Sequence, residues 1–232
     1  MRIKTNIRDY ENRNKKEAQD MLINRDRQKL AADLVKYPFR NVLDIGCDFD
    51  IPLRQYLPKE INYTGIDFAK SELKEVTECN LENGISLPDK SFDVVFAIEV
   101  LEHLENIHFV FEEIMRVAKN EIIIALPNMN HWIYRIKHLF GIKLIEKYTF
   151  YPEKHPDRHR WFPTHKASIA FVRHNSNDCK IEMGYGIYPY KRLEFLGKID
   201  TFFSRFFPEL FVYTDFFRID LINDQKKLCR KK

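Results

Sequence analysis

The stretch Val42-Leu43-Asp44-Ile45-Gly46-Cys47-Asp48 constrains this chain more than any other. A short apolar run over 41–45 carries one acid, Asp44, and stops at Gly46. An apolar strand that halts at a glycine is how a cofactor loop begins in a parallel α/β sheet. The usual continuation supplies a second and a third glycine. Here Asp48 and Asp50 stand in the turn instead. A loop that cradles pyrophosphate must let an anion approach its backbone closely. Two carboxylates would repel that anion and would tolerate a cation. Aspartate also adopts left-handed backbone conformations more readily than most residues other than glycine. The turn is therefore compatible with a sulfonium cofactor such as S-adenosylmethionine and poorly compatible with NAD.

The pattern around the turn predicts the sheet. Strands are expected at 41–45, 61–66, 75–79 (weak), 92–98 and 121–126, with helices at 52–56, 69–73 and 107–118. In the last of these, Val110, Phe111, Ile114 and Val117 recur at helical spacing. Runs such as Phe92-Asp93-Val94-Val95-Phe96-Ala97-Ile98 are apolar throughout, as strands buried on both faces must be. A charged helix is expected over 14–36 and is stopped by Pro38. Beyond 127 the expectation is a helix at 131–139, a polar-aromatic loop at 151–165, a helix at 165–173 and strands at 179–187 and 216–222. Two late strands joined by a long connection would close the sheet antiparallel. The fold class is thus α/β: a single Rossmann-like doubly wound sheet, mostly parallel with an antiparallel closing strand, helices on both faces. Residues 1–232 read as one domain. It comprises an N-terminal helical extension (1–40), a cofactor-binding half (41–127), a substrate-side half (128–222) with a helical insertion at 190–211, and a basic tail (223–232).

Composition narrows the class. Of 232 residues, 44% are hydrophobic and 31% charged, which is globular rather than disordered. The net charge of +4 is spread, with Lys and Arg interspersed among acids. A nucleic-acid binder shows a focused basic stripe, so no nucleic acid is expected. Four cysteines form no C-x-x-C pair, which supports neither a zinc site nor a redox motif. Thiols of this kind, and a start with no apolar signal core, make a cytoplasmic location the expectation. No apolar run is long enough for a transmembrane helix.

Ligands of such a sheet bind beyond the carboxyl ends of its strands. The candidates are therefore Gly46, Asp67, Asn80 with Leu81, and Glu99. Asp67 falls at the end of the second strand, where a carboxylate can accept from both ribose hydroxyls. The candidate general bases are His103, His131, His155 and His159. The run His155-Pro156-Asp157-Arg158-His159-Arg160-Trp161 suits an acceptor pocket. Only Asp157 supports a metal beside its two histidines, so no metal is expected. The stripe Leu193, Leu196, Ile199, Phe203, Phe206, Phe207, Leu210 fits a helix covering the sheet edge or the pocket. Its phenylalanines, with Lys191, Arg192, Lys198 and Arg205, also fit a peripheral membrane contact through 191–211.

Four segments together resemble a known family: Val42-Leu43-Asp44-Ile45-Gly46-Cys47, Tyr63-Thr64-Gly65-Ile66-Asp67, Leu87-Pro88-Asp89-Lys90-Ser91-Phe92-Asp93-Val94-Val95 and Glu99-Val100-Leu101-Glu102-His103-Leu104. In this order over 41–127 they look like class I S-adenosylmethionine-dependent methyltransferases of the type 11 group. Leu126-Pro127-Asn128, His131-Trp132 and the residues to Leu139 are also similar to the methionine-biosynthesis W protein group. The later loop and helix resemble methyltransferases of glycan and lipid assembly.

The resemblance implies that Asp44, Gly46 and Cys47 line the methionine part of the cofactor. Asp67 would hold the ribose, Phe68 flank the adenine, and Asn80 and Leu81 meet it, although the family more often has Asp where Asn80 stands. Glu99 would lie at the methionine end. His103 and His159 are the expected catalytic residues. Asn128, His131, Trp132, His155, Arg158 and Trp161 are the expected acceptor contacts. The acceptor would be a small molecule, a glycan or a lipid-linked precursor, methylated on oxygen. Asp48 and Asp50 depart from the family's glycines and keep a second reading open: a non-catalytic partner that retains the fold with a degenerate loop. An NAD-dependent oxidoreductase is disfavoured by charge and motif. The oligomeric state is not written in the sequence.

Overall fold

The computed structural model describes residues 26–142, 148, 158–177, 179–190 and 194–222. Seven strands form one sheet: β1 (Asn41–Ile45), β2 (Asn62–Asp67), β3 (Val76–Glu78), β4 (Phe92–Ile98), β5 (Ala118–Pro127), β6 (Lys180–Gly186) and β7 (Thr214–Asp220), in the order β3-β2-β1-β4-β5-β7-β6. The first five pair in parallel. β7 pairs antiparallel with both β5 and β6, so it alone runs against the rest. The strand order reverses between β1 and β4. That reversal opens the crevice at the carboxyl ends where ligands of doubly wound sheets bind.

Alternation along each strand divides the core in two. On one face Leu43, Ile45, Val95, Ala97, Ile122 and Ile124 pack against α2 (Ile107–Val117) and α4 (His165–Asn175). On the other, Val42, Val94, Phe96, Ile123 and Phe216 pack beneath α1 (Asp26–Asp33) and its continuation, Leu34 and Val35. α2 starts where the Asn106 side chain accepts from Phe109 N, and it buries Val110, Phe111, Ile114 and Val117. Each such burial contributes about 1.5–3 kcal/mol. Two further helices, α3 (Trp132–Leu139) and α5 (Glu194–Phe203), and a single turn, α6 (Pro208–Phe211), lie on the substrate side.

The connections near the crevice are leaner than the sequence predicts. Residues 52–56 supply only a 3-10 turn, Arg54–Tyr56. Residues 69–73 form no helix. Asp67 Oδ1 takes Ala69 N at 2.8 Å and Ser71 Oγ takes Leu73 N at 3.1 Å, so side chains serve backbone that a helix would otherwise pair. β7 begins two residues earlier than predicted, because Thr214 and Asp215 are buried polar residues that do not read as strand. The described part of the expected 14–36 helix is α1. The segment after it is clamped to the sheet: Glu121 accepts from Lys36 N at 3.1 Å and from the buried Arg218 Nε at 2.7 Å, while Tyr37 donates to Asp220 at 2.8 Å. The basic tail at 223–232 lies outside the described residues.

Candidate active site

The first turn holds its shape through contact rather than through three glycines. Gly46 has φ +68°, and a Cβ built on it would lie 2.7 Å from Val100 Cγ2. Only glycine fits there. A Cβ on Gly65 would lie 2.6 Å from Cys47 Sγ, so the buried Cys47 fills the space beside β2. Asp48 takes the left-handed conformation expected of it, with φ +60°, and its carboxylate accepts from Phe49 N at 2.7 Å. The second left-handed position is Ile51, at φ +44°, and not Asp50, which is exposed. A β-branched residue in that region costs about 1–2 kcal/mol.

Acids converge on this turn. Asp67 Oδ2 accepts from Asp48 N at 2.9 Å, which ties the β1 loop to the end of β2. Burial raises the Asp67 carboxyl above its usual range. Asp44 is buried and accepts from Tyr63 OH at 2.6 Å. Burial first, then the like charges of Asp67 and Asp48, push its carboxyl up to about 7, against the Tyr63 hydrogen bond. A cationic ligand beside these crowded acids would favour their ionised forms. Phe68, half exposed, offers a flat apolar face beside Asp67. Asn80 Oδ1 accepts from Glu82 N at 3.1 Å and caps the turn Leu81–Asn83, while Leu81 itself is buried in the core.

At the end of β4, Glu99 also adopts a left-handed conformation, φ +53°, and accepts from Thr214 Oγ1 at 3.3 Å. Its other carboxylate oxygen pairs with Arg27 Nη1, which reaches in from α1. Arg27 is a site residue that sequence reasoning missed. Burial lowers its guanidinium pKa, offset by Tyr213, Glu102 and Tyr134 around it. Arg27 Nε is buried without a hydrogen-bond partner. The signal was present: Arg27 lies one helical turn before the buried Ala31, on the face of α1 that meets the sheet.

Beyond Glu99, the turn Leu101–His103 brings Glu102 and His103 to the crevice. His103 Nε2 lies 4.0 Å from Glu102 Oε1, and the His103 and His159 rings meet edge to face at 4.5 Å. The two expected catalytic histidines, 56 positions apart in the chain, are thus brought together. His159 Nδ1 is 2.9 Å from Tyr148 OH. The loop is fastened through Arg160 N to Glu102 O (2.8 Å) and Trp161 Nε1 to Leu104 O (2.7 Å). Ligand atoms of Glu102, His103 and His159 lie within 4.8 Å of one another, a spacing that would also admit a divalent cation.

Several expected acceptor contacts have other work. Asn128 is fully buried, donates to Glu209 O and Val212 O, and accepts from Asn130 N and His165 N. It has no polar capacity left for a substrate. His131 is fully buried as well: Nδ1 accepts from Ile133 N at the start of α3, and Nε2 lies 3.1 Å from Asp200. Both residues are fasteners, because the chain turns sharply after β5 and its backbone groups need partners. Trp132 donates to Asp200 Oδ1 at 2.8 Å. Trp161 and Arg158 are exposed. His155 lies outside the described residues.

The strand order, with its reversal between β1 and β4 and the antiparallel β7, is that of a Rossmann-like doubly wound α/β fold. Residues 43–126 match the family model described as a methyltransferase domain. The chain is 30% identical over 117 residues to the ubiquinone biosynthesis O-methyltransferase of Rickettsia prowazekii, covering 45% of each chain. It is 30% identical over 93 residues to a sterol 24-C-methyltransferase of Aspergillus fumigatus, covering 34% of this chain and 25% of that one. A crystal structure of a SAM-dependent methyltransferase from Archaeoglobus fulgidus superposes with a TM-score of 0.58 at 18% identity, over 91% of this chain and 99% of that one. The chain spans less than half the length of the curated relatives it matches.

Proposed function

We propose that this protein transfers a methyl group from S-adenosylmethionine to a hydroxyl of a small-molecule, glycan or lipid-linked acceptor. The observation that carries the reading is the cluster of Asp44, Asp48 and Asp67 at the first turn, with Glu99 beyond β4 paired to the partly buried cation Arg27. A ligand with an ammonium, a sulfonium and a carboxylate matches that charge pattern; a pyrophosphate does not. Asp67 would hold the ribose hydroxyls and Phe68 would lie along the adenine. Asp44 would face the ammonium side, and Arg27 Nε would gain the carboxylate partner it lacks. When bound, the cofactor supplies an activated methyl for in-line displacement, so the protein mainly orients the acceptor and excludes water.

A hydroxyl acceptor must lose its proton as it attacks. His103 and His159 face each other beside Glu102, and Tyr148 holds His159 Nδ1. His103 is the proposed base, with the adjacent Glu102 stabilising the imidazolium. The rings of Tyr134, Tyr188 and Tyr213 cluster near Arg27: Tyr134 OH meets Tyr213 OH at 2.8 Å, and Tyr188 packs edge to face on Tyr213. An aromatic cluster of this kind suits a ring-bearing or prenylated acceptor. The relatives include an O-methyltransferase and a C-methyltransferase at 30% identity, so the choice of oxygen rests on the histidine pair. Turnover with a panel of catechols, reduced quinones and glycosides tests the acceptor. Methylation on carbon alone, or no turnover of any hydroxyl acceptor by protein that binds the cofactor, would end the O-methylation reading.

A further inference from the structure

α5 is an amphipathic helix packed inside out. Asp200, in its middle, faces the protein: it is fully buried and accepts from Trp132 Nε1 (2.8 Å) and Tyr190 OH (2.6 Å), with His131 Nε2 at 3.1 Å. Its apolar stripe, Phe195, Ile199 and Phe202, faces out, and Phe206 and Phe207 continue the exposed run at 64% and 55%. Rolling the helix to bury the rings would tear Asp200 from three partners. The outward stripe is therefore fixed by the fold.

Charge selects what covers it. The exposed positions from 195 to 207 include Lys198 and Arg205 and no acid. α3 joins α5 through the Trp132–Asp200 hydrogen bond and has the same character. Ile136, Leu139 and Phe140 are exposed there beside Arg135 and His138, and 132–142 contains no acid at all. A second copy of this chain would bring these cations against themselves across a two-fold interface, which is repulsive. Exposed phenylalanines interleaved with cations and no acids are the chemistry of an anionic bilayer surface. We propose that α3 and α5 dock this protein on an anionic lipid membrane, at the side of the crevice where α3 leaves the end of β5. Among the described residues no helix is long and apolar enough to cross a membrane, so the contact is peripheral. Docking there would present the crevice to a lipid-borne acceptor. The docking itself does not depend on the methylation reading.

Vesicle flotation of the full chain tests it without turnover. The protein is expected to co-float with phosphatidylcholine vesicles containing phosphatidylglycerol and not with phosphatidylcholine alone, and raised salt should reduce recovery. Phe195→Ser, Phe202→Ser, Phe206→Ser together should lower partitioning at least about tenfold. Lys198→Glu, Arg205→Glu should do the same without touching the rings. All five positions are exposed, and an unchanged circular dichroism melt would show that the variants fold. No recovery on anionic vesicles overturns the proposal, as does recovery unaffected by either variant. Sedimentation showing a dimer that the phenylalanine variant dissociates would also overturn it, in favour of a second copy. S-adenosylhomocysteine binding by the same protein keeps failure here distinct from failure of the methyltransferase reading.

Discussion

Gly46→Ala is the sharpest perturbation of the crevice. Two separate costs follow from its geometry. At φ +68° an alanine gives up about 1–2 kcal/mol to the left-handed conformation. Its Cβ would also lie 2.7 Å from Val100 Cγ2, and relieving such overpacking costs about 1–3 kcal/mol. The variant should therefore lose about 2–5 kcal/mol in urea unfolding with an unchanged m-value. Val100→Ala removes the atom in the way. In the double variant the steric part should return while the backbone part stays, a favourable coupling of about 1–3 kcal/mol in a double-mutant cycle. Because Val100 follows Glu99, Gly46→Ala should also weaken S-adenosylhomocysteine binding in calorimetry, and Val100→Ala should restore part of it. A Gly46→Ala protein within about 0.5 kcal/mol of wild type, or no coupling to Val100, would refute the close approach on which this loop is built.

Three further outcomes are expected. Asp44 keeps its proton in the folded protein up to about pH 7, against 3.8 for the free side chain, so its contribution to stability falls as pH rises through that window. The loss integrated over the window is on the order of 4 kcal/mol. Urea titrations across the window should show it in wild type and lose it in Asp44→Asn; a stability that rises through the same range in a manner Asp44→Asn abolishes would contradict it. Arg27→Gln should weaken S-adenosylhomocysteine binding about 10–100-fold, since a charged hydrogen bond contributes about 1.5–3 kcal/mol. A lower melting temperature with unchanged affinity would make Arg27 purely structural. His103→Ala should lower kcat about 10²–10⁴-fold with cofactor affinity unchanged, whereas His159→Ala should act more weakly. Equal kcat in both variants would remove the base from this pair.

The half of the molecule that binds the cofactor was legible because parallel strands buried on both faces are written as apolar runs. β1 and β4 begin and end where their residues predict, and Gly46, Asp67 and Glu99 lie at strand ends as chain order requires. The substrate side was read less well, for a physical reason. Polar side chains such as Asn128 and His131 look alike in sequence whether they meet a ligand or repair a turn, and only their hydrogen-bond partners tell the two apart. Asp200 likewise reads as a solvent-facing helix acid until Trp132, Tyr190 and His131 are seen around it. The 69–73 segment was predicted as helix because Asp67 and Ser71 serve its backbone through contacts that propensity does not register. Arg27 was missed because the first residues read as a charged extension, while its place beside Glu99 depends on the clamp at Glu121 and Arg218, far away in the chain.

The central claim is that the acids at the ends of β1, β2 and β4, with Arg27 among them, form a site for S-adenosylmethionine despite Asp48 and Ile51 in place of a glycine loop. Isothermal calorimetry of the wild-type protein with S-adenosylmethionine, S-adenosylhomocysteine and NAD tests this directly. The first two should bind in the micromolar range typical of enzyme ligands, and NAD should not. Heat from NAD, or silence from all three at millimolar concentration, would contradict the account and leave a methyltransferase fold without its cofactor.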